Sequence, residues 1–353
     1  MSLPGHWSPA LNTISYDEWC RTWPAHFNCH PLDGSVKLTR TFYIDACIES
    51  RPRTAPVVAR PHTAGTAAER LQSTLSHLAE IPSQFCITTL NLSGCAITCQ
   101  DALILAGVLA QCPALSHLNL ERNYIRGVGA GWLAPVLVQC TLSWLSLGRN
   151  AIGDEGAGRL AGVLRQCLAL SYLNVGKNQI RAEGVGKLVE VCGDITQLDL
   201  SENEIGDEGA GRLAEVGQCP TLCLLNLQFN GIGAAGADSL ARFLTQKCPA
   251  LFHLNLECND LRDEGAAKLA LVLAQCPALS HLNLAGNGIG QQGGESLAEV
   301  LGHCPLLSHL NLKGNWIPDA VHEKLRASWC DLQVIFVYNK GDERQAVGLL
   351  LQD

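Results

Sequence analysis

Three histidines stand in one register. His253, His281 and His309 each precede a Leu in the string H-L-N-L, 28 residues apart. On neighbouring parallel strands about 4.8 Å apart they would form a ladder of imidazoles. Three imidazoles are a zinc-type ligand set, but a straight ladder sets its outer rings nearly 10 Å apart, too far for ~2 Å bonds to one ion. Cys20, His26, Cys29 and His30 form a second cluster. Pro24 and Pro31 break any helix that would align it, and no second C-x-x-C or H-x-x-x-H accompanies it. Eight cysteines recur once per unit: Cys112, Cys140, Cys167, Cys192, Cys219, Cys248, Cys276 and Cys304. A Cys at a constant place behaves as a small buried hydrophobe. No G-x-S-x-G, H-E-x-x-H or G-x-x-x-x-G-K-[ST] string is present. The expectation is a chain with no catalytic group, no cofactor and no metal.

The elements that position these residues repeat. From about residue 87 the pattern is L-x-x-L-x-L-x-x-N-x-I, then G-x-x-G-A, L-A-x-x-L and C-P. The Asn recurs at Asn123, Asn150, Asn178, Asn203, Asn230, Asn259, Asn287 and Asn315, and Cys95 takes its place in a first copy. L-x-L alternates with period two, which argues a short strand. Ala157, Leu160, Ala161 and Leu164 fall on one helical stripe, with Asp154 and Glu155 in the first turn, where negative charge suits the helix dipole. By the same alignment Asp207, Glu208, Asp263 and Glu264 belong to a solvated face. One unit cannot bury its own apolar faces, so the units must stack. The recurrent Asn reads as structural, because its amide satisfies turn backbone with a donor and an acceptor. Gly129, Gly156, Gly184, Gly209, Gly236, Gly265 and Gly293 either admit a neighbouring helix closely or adopt a backbone angle that Cβ forbids.

These strings resemble the ribonuclease-inhibitor-like class of leucine-rich repeats, which includes the Ran GTPase-activating protein and the sensors of NOD-like receptors. The resemblance rests on the ~28-residue period and on Asn150-Ala151-Ile152-Gly153-Asp154-Glu155-Gly156-Ala157. It implies an α/β fold: a right-handed solenoid, or horseshoe, with parallel strands on the concave face and helices on the convex one. Its activator members imply a second reading, a regulator of a small GTPase acting through an arginine near the start, where Arg60 and Arg70 stand.

Organisation follows. Residues 67–340 form the repeat domain, with a half-repeat helix at 67–80, a helix near Asp319 to Trp329, and Leu332, Ile335 and Val337 as a closing strand. Residues 1–66 hold three of the seven Trp, a candidate strand at Thr41-Phe42-Tyr43-Ile44, and an Arg/Pro linker. They read as a cap or tail, and 341–353 as a second tail. Composition sets limits. The 353 residues are 47% hydrophobic with net charge −8. An acidic chain lacks the basic face that phosphate-backbone binding needs. No apolar run reaches the ~18–20 residues of a membrane span. No secretory signal opens the chain, and the 17 Cys are odd in number. A monomer in a reducing compartment, cytoplasm or nucleus, is expected.

Function should lie where the repeat leaves side chains free. The residue between the last two Leu is polar: Asn119, Ser146, Asn174, Asp199, Asn226, Asn255, Asn283 and Asn311. The row before it carries His117, Trp144, Tyr172 and His253, with Trp144 and Tyr172 expected as adjacent exposed aromatics suited to an interface. Arg122, Arg149 and Lys177 precede the Asn and would stack as a basic stripe that Glu202 ends; Phe229 shares the row, and Glu121 and Glu257 lie one position earlier. The expected partner is a protein held on the concave face, centred on Trp144, Tyr172, Arg149 and Lys177.

Overall fold

The structure is a computed structural model that describes residues 43–45, 87–216, 219–304, 306–328 and 334–336. Eleven parallel strands form one sheet in chain order. They are β1 (Tyr43–Asp45), β2 (Thr89–Asn91), β3 (His117–Asn119), β4 (Trp144–Ser146), β5 (Tyr172–Asn174), β6 (Gln197–Asp199), β7 (Leu224–Asn226), β8 (His253–Asn255), β9 (His281–Asn283), β10 (His309–Asn311) and β11 (Val334–Phe336). The helices between them are α1 (Cys99–Leu109), α2 (Arg126–Leu137), α3 (Gly153–Leu164), α4 (Ala182–Val189), α5 (Gly206–Val216), α6 (Ala234–Gln246), α7 (Arg262–Leu273), α8 (Gln291–Leu301) and α9 (Asp319–Ser328). Parallel neighbours joined by helical crossovers make a right-handed α/β solenoid, as the resemblance implied. The Cys20, His26, Cys29 and His30 cluster, the helix expected at 67–80, Arg60, Arg70 and the 341–353 tail lie outside the described residues.

Each strand from β2 to β10 is three residues long and buries its central Leu. Leu90, Leu118, Leu145, Leu173, Leu198, Leu225, Leu254, Leu282 and Leu310 are all excluded from water. The register aligns like with like: Trp144 opposite Tyr172, His253 opposite His281, His281 opposite His309. Each helix lays its Leu and Ala stripe on this layer, and the core runs unbroken from Ile87 to Leu325.

Asparagine holds the outer turns. Asn178 Oδ1 accepts from the Asn150 and Ile152 amides of the repeat before, and its Nδ2 donates to the Leu147 carbonyl at 2.9 Å. Asn150 donates to Leu120, and Asn203 to Val175. Buried backbone that has no sheet partner is satisfied one repeat at a time. The cysteine column is likewise internal. Cys192, Cys276 and Cys304 point Sγ at the carbonyl four residues back, and the described cysteines are free thiols. Burial raises Cys140 to about 11, with Cys112 and Cys167 adding to it, so this thiol stays protonated.

Of the two readings for the repeated glycines, close approach is the one realised. None of the seven has a positive φ. A Cβ on Gly129 would lie 2.8 Å from Ile125 Cγ2 and 3.1 Å from Cys99 Cα, and one on Gly156 would lie 3.0 Å from Gly127 Cα. Asp207, Glu208 and Glu264 are exposed, as the repeat alignment implies, and Asp263 is half-buried; the two aspartates also cap the next helix. Asp207 Oδ1 accepts from Gly233 and Gly236 at 2.7 and 2.8 Å, and Asp263 Oδ1 from Gly290 and Gly293 at 2.6 and 3.0 Å.

Candidate functional site

On the open side of the sheet, three rings run down consecutive strands. Trp144 and Tyr172 stack with centroids 4.8 Å apart and planes 7° apart; His117 lies 6.5 Å from Trp144 at 22°. The spacing is the strand spacing, so parallel register alone brings equal rings into face-to-face contact. His117 is exposed and Trp144 half-buried, but Tyr172 is only 4% exposed and His253 is fully buried. The expectation that Trp144 and Tyr172 are both exposed is therefore corrected. Alternation decides which face a side chain takes; it does not account for neighbouring rings covering one another.

The polar row is also less free than alternation suggests. Asn174 Oδ1 accepts from the Gly176 amide at 2.8 Å, and Asn119, Asp199, Asn226, Asn255, Asn283 and Asn311 each take the amide two residues on. These side chains curl back as Asx turns that end the strand. They are strand terminators before they are recognition groups.

The residues preceding the repeated Asn are freer. Arg122, Arg149, Lys177, Glu202, Phe229 and Cys258 occupy this position in six successive repeats, all with φ between 52° and 60°. In other repeats the same position holds Gly94, Gly286 and Gly314, also at positive φ. A left-handed residue with Cβ costs roughly 1–2 kcal/mol that glycine avoids. Arg122, Arg149, Lys177 and Phe229 are exposed. Glu202 does not merely end the basic stripe. It binds both cations, Arg149 Nη2 at 3.3 Å across two repeats and Lys177 Nζ at 2.5 Å. Burial would raise the Glu202 carboxyl, but Lys177 and Arg149 outweigh burial and hold it below the usual carboxylate range. Arg122 pairs with Glu121 at 3.3 Å.

Trp144, Tyr172, His117, Arg122, Glu121, Arg149 and Lys177 thus share three adjacent repeats, β3 to β5. Phe229 stands two strands beyond Lys177, about 10 Å along the sheet. His253 and Glu257 are a further strand away, in a second cluster. There His281 stacks between His253 at 5.4 Å and His309 at 4.1 Å, and Glu257 Oε2 accepts from Asn283 Nδ2 at 2.9 Å. Burial lowers His253, with His281 and His309 adding to it, and burial with His309 brings His281 down to about 3. Among the described residues no group of His, Cys, Asp or Glu is arranged to hold a metal ion, and no helix is long and apolar enough to cross a membrane.

Sequence reasoning missed the left-handed row, although Gly94, Gly286 and Gly314 in the same column were its signal. It also missed an apolar face on the first helices, Leu103, Ile104, Val128 and Trp132, which are half exposed.

The family model described as "Leucine Rich repeat" matches residues 138–161, 166–189, 194–214, 218–241, 247–270 and 275–298. None of the curated proteins compared with the chain matches it. Among solved structures it is similar to Leiomodin-1 Actin-Binding Site 2 (18% identity, TM-score 0.35), covering 41% of this chain and 86% of that one. It is also similar to the TLR13 chain of a TLR13–ssRNA13 complex (20% identity, TM-score 0.43), covering 67% of this chain and 33% of that one. The matched segments between residues 138 and 298 are leucine-rich repeats.

Proposed function

We propose that this repeat protein is a non-catalytic scaffold that holds a protein partner on the open side of its sheet, around Arg149, Lys177 and Trp144. The observation that carries this reading is the left-handed row. Six successive repeats keep a side chain where glycine costs less, and three of the six are cations. Beside them, the exposed edge of the Trp144–Tyr172 stack offers a rigid aromatic surface, with Tyr172 as its buried support. Arg122, Arg149 and Lys177 outnumber Glu121 and Glu202, so a partner with an acidic contact surface is favoured on a chain whose net charge is −8. The ~28-residue repeat with a full helix in each unit supports placement in the ribonuclease-inhibitor-like subtype. The buried, protonated thiols suit a reducing compartment, cytoplasm or nucleus.

The test is affinity capture from cell extract with the whole chain and with Arg149→Glu/Lys177→Glu. Both side chains are exposed and the variant should fold normally. Proteins retained by the native chain and released by added salt are expected to be missing from the variant. An identical captured set would reject this site.

A further inference from the structure

On the helical side, four of the nine described helices carry an ion pair one turn apart at equivalent places: Glu155 with Arg159, Glu183 with Lys187, Glu208 with Arg212, Glu264 with Lys268. The first two helices put large apolar side chains there instead. In α2 the places of Glu155 and Arg159 are taken by Val128 and Trp132, and in α1 the place of Arg159 is taken by Ile104. The register is fixed by packing, because a Cβ on Gly129 would touch Ala102 Cβ as one on Gly156 would touch Ala130 Cβ. Ile104 and Trp132 are therefore side by side across the α1–α2 groove. Leu103, Ile104, Val128 and Trp132 are 52%, 45%, 49% and 49% exposed. Gly107, one turn beyond Leu103, leaves an open notch with no atom within 4 Å of where a Cβ would stand. Not one charged residue occurs between Arg126 and Arg149.

We propose that this face is a second docking site, and that its occupant is one amphipathic helix of another protein, laid along the α1–α2 groove with its apolar stripe inward. Two features choose that occupant. The exposed halves of four large side chains amount to on the order of 300–400 Å², the size of the largest apolar patch on a typical monomer, which is often functional. A rigid dimer needs about 800 Å² from each partner, whereas a helix in a groove needs only a few anchors at i, i+3, i+4 and i+7. The patch's rim holds few cations, Arg126 at the start of α2 and Arg159, which lies over Gly131 and pairs with Glu155, where a face held on an anionic bilayer is rich in Lys and Arg. The site is independent of the sheet face, and its binding is nearly insensitive to salt.

The repeats supply the control. Val128→Glu/Trp132→Arg installs the pair that α3 carries, so the fold is expected to keep its unfolding midpoint, and Ile104→Arg tests the same groove by a separate change. The probe is a displayed library of 20-residue peptides with Leu fixed at i, i+3, i+4 and i+7, selected on the full chain. Enriched peptides are expected to lose at least about tenfold affinity on either variant and to keep it on Arg149→Glu/Lys177→Glu. Failure to enrich over the Val128→Glu/Trp132→Arg chain would overturn the proposal. So would a native dimer that either variant disperses, which would assign the face to a second copy. Retention on phosphatidylcholine–phosphatidylserine vesicles, lost in the variants, would assign it to a bilayer and overturn the proposal too.

Discussion

The Asp154 carboxylate caps the helix of the following repeat: Oδ1 accepts from the Gly184 amide at 3.0 Å and from the Arg181 amide at 2.7 Å. The same bond links α5 to α6 through Asp207 and α7 to α8 through Asp263. It forms where a helix entered through a left-handed residue (Gly153, Gly206, Arg262) is followed by one entered through a negative-φ, non-helical residue (Arg181, Gly233, Gly290). Between α2 and α3 both helices enter the first way, and Gly127 stands in the aspartate's place. A Cβ there would meet the Ile152 carbonyl at 2.9 Å. Asp154→Ala removes the cap of α4 and is expected to cost about 1–2 kcal/mol. Urea unfolding checks it. A change below a few tenths would mean that water replaces the carboxylate without loss.

Asn178 is fully buried and serves two repeats. Asn178→Ala strands the Asn150 and Ile152 amides inside the stack, while the Leu147 carbonyl loses one of its two donors and keeps Asn150 Nδ2. Each stranded group costs roughly 1–3 kcal/mol, so about 3–5 kcal/mol is expected. Asn178→Asp should also destabilise, because a carboxylate cannot donate to Leu147. Denaturant midpoints of the two variants against the native chain decide it.

The fold was legible because period is a sequence property. Leu145, Asn150, Gly156, Leu160 and Cys167 recur at fixed offsets, and each recurs for a reason internal to one repeat and its neighbour. The site was less legible because it depends on what neighbours do to each other. Alternation placed Tyr172 on the open face, yet Trp144 at 4.8 Å helps to cover it. Charge order made Glu202 the end of a stripe, yet its carboxylate reaches both Lys177 and, two repeats away, Arg149. Asp207 is exposed as its helical position implies, but its capping role was not legible there, because the amides it caps belong to the next repeat.

The histidine stack should make stability pH-dependent. Burial lowers His253, His281 and His309 below their ordinary value, His281 to about 3. Unfolded, each titrates near 6.5. Between those values the unfolded chain binds more protons, so stability rises with pH. It is complete above about pH 7 and falls as pH drops through 6.5, by up to ~1 kcal/mol per unit for each histidine held neutral. Urea midpoints at pH 7.5 and 5.0 measure this, and His281→Gln is expected to shrink the difference. An unchanged difference would place the pH response elsewhere.

Stability and binding should part at Arg149 and Lys177. Both hold a left-handed backbone, so Arg149→Gly/Lys177→Gly relieves strain of roughly 1–2 kcal/mol per residue. Against that stand a more flexible unfolded chain, ~0.4–1 kcal/mol per glycine, and two exposed ion pairs with Glu202, ~0.2–1 kcal/mol each. The terms nearly cancel, and the double variant is expected to unfold within about 1 kcal/mol of the native chain. Partner capture on the sheet face is expected to fall with it, since the cations are gone and Glu202 is left unneutralised. Arg149→Ala/Lys177→Ala separates the causes, keeping the backbone strain while removing the same charges. If the glycine variant unfolds like the native chain and still captures the same partner, the side chains of this row are not what the strain is kept for.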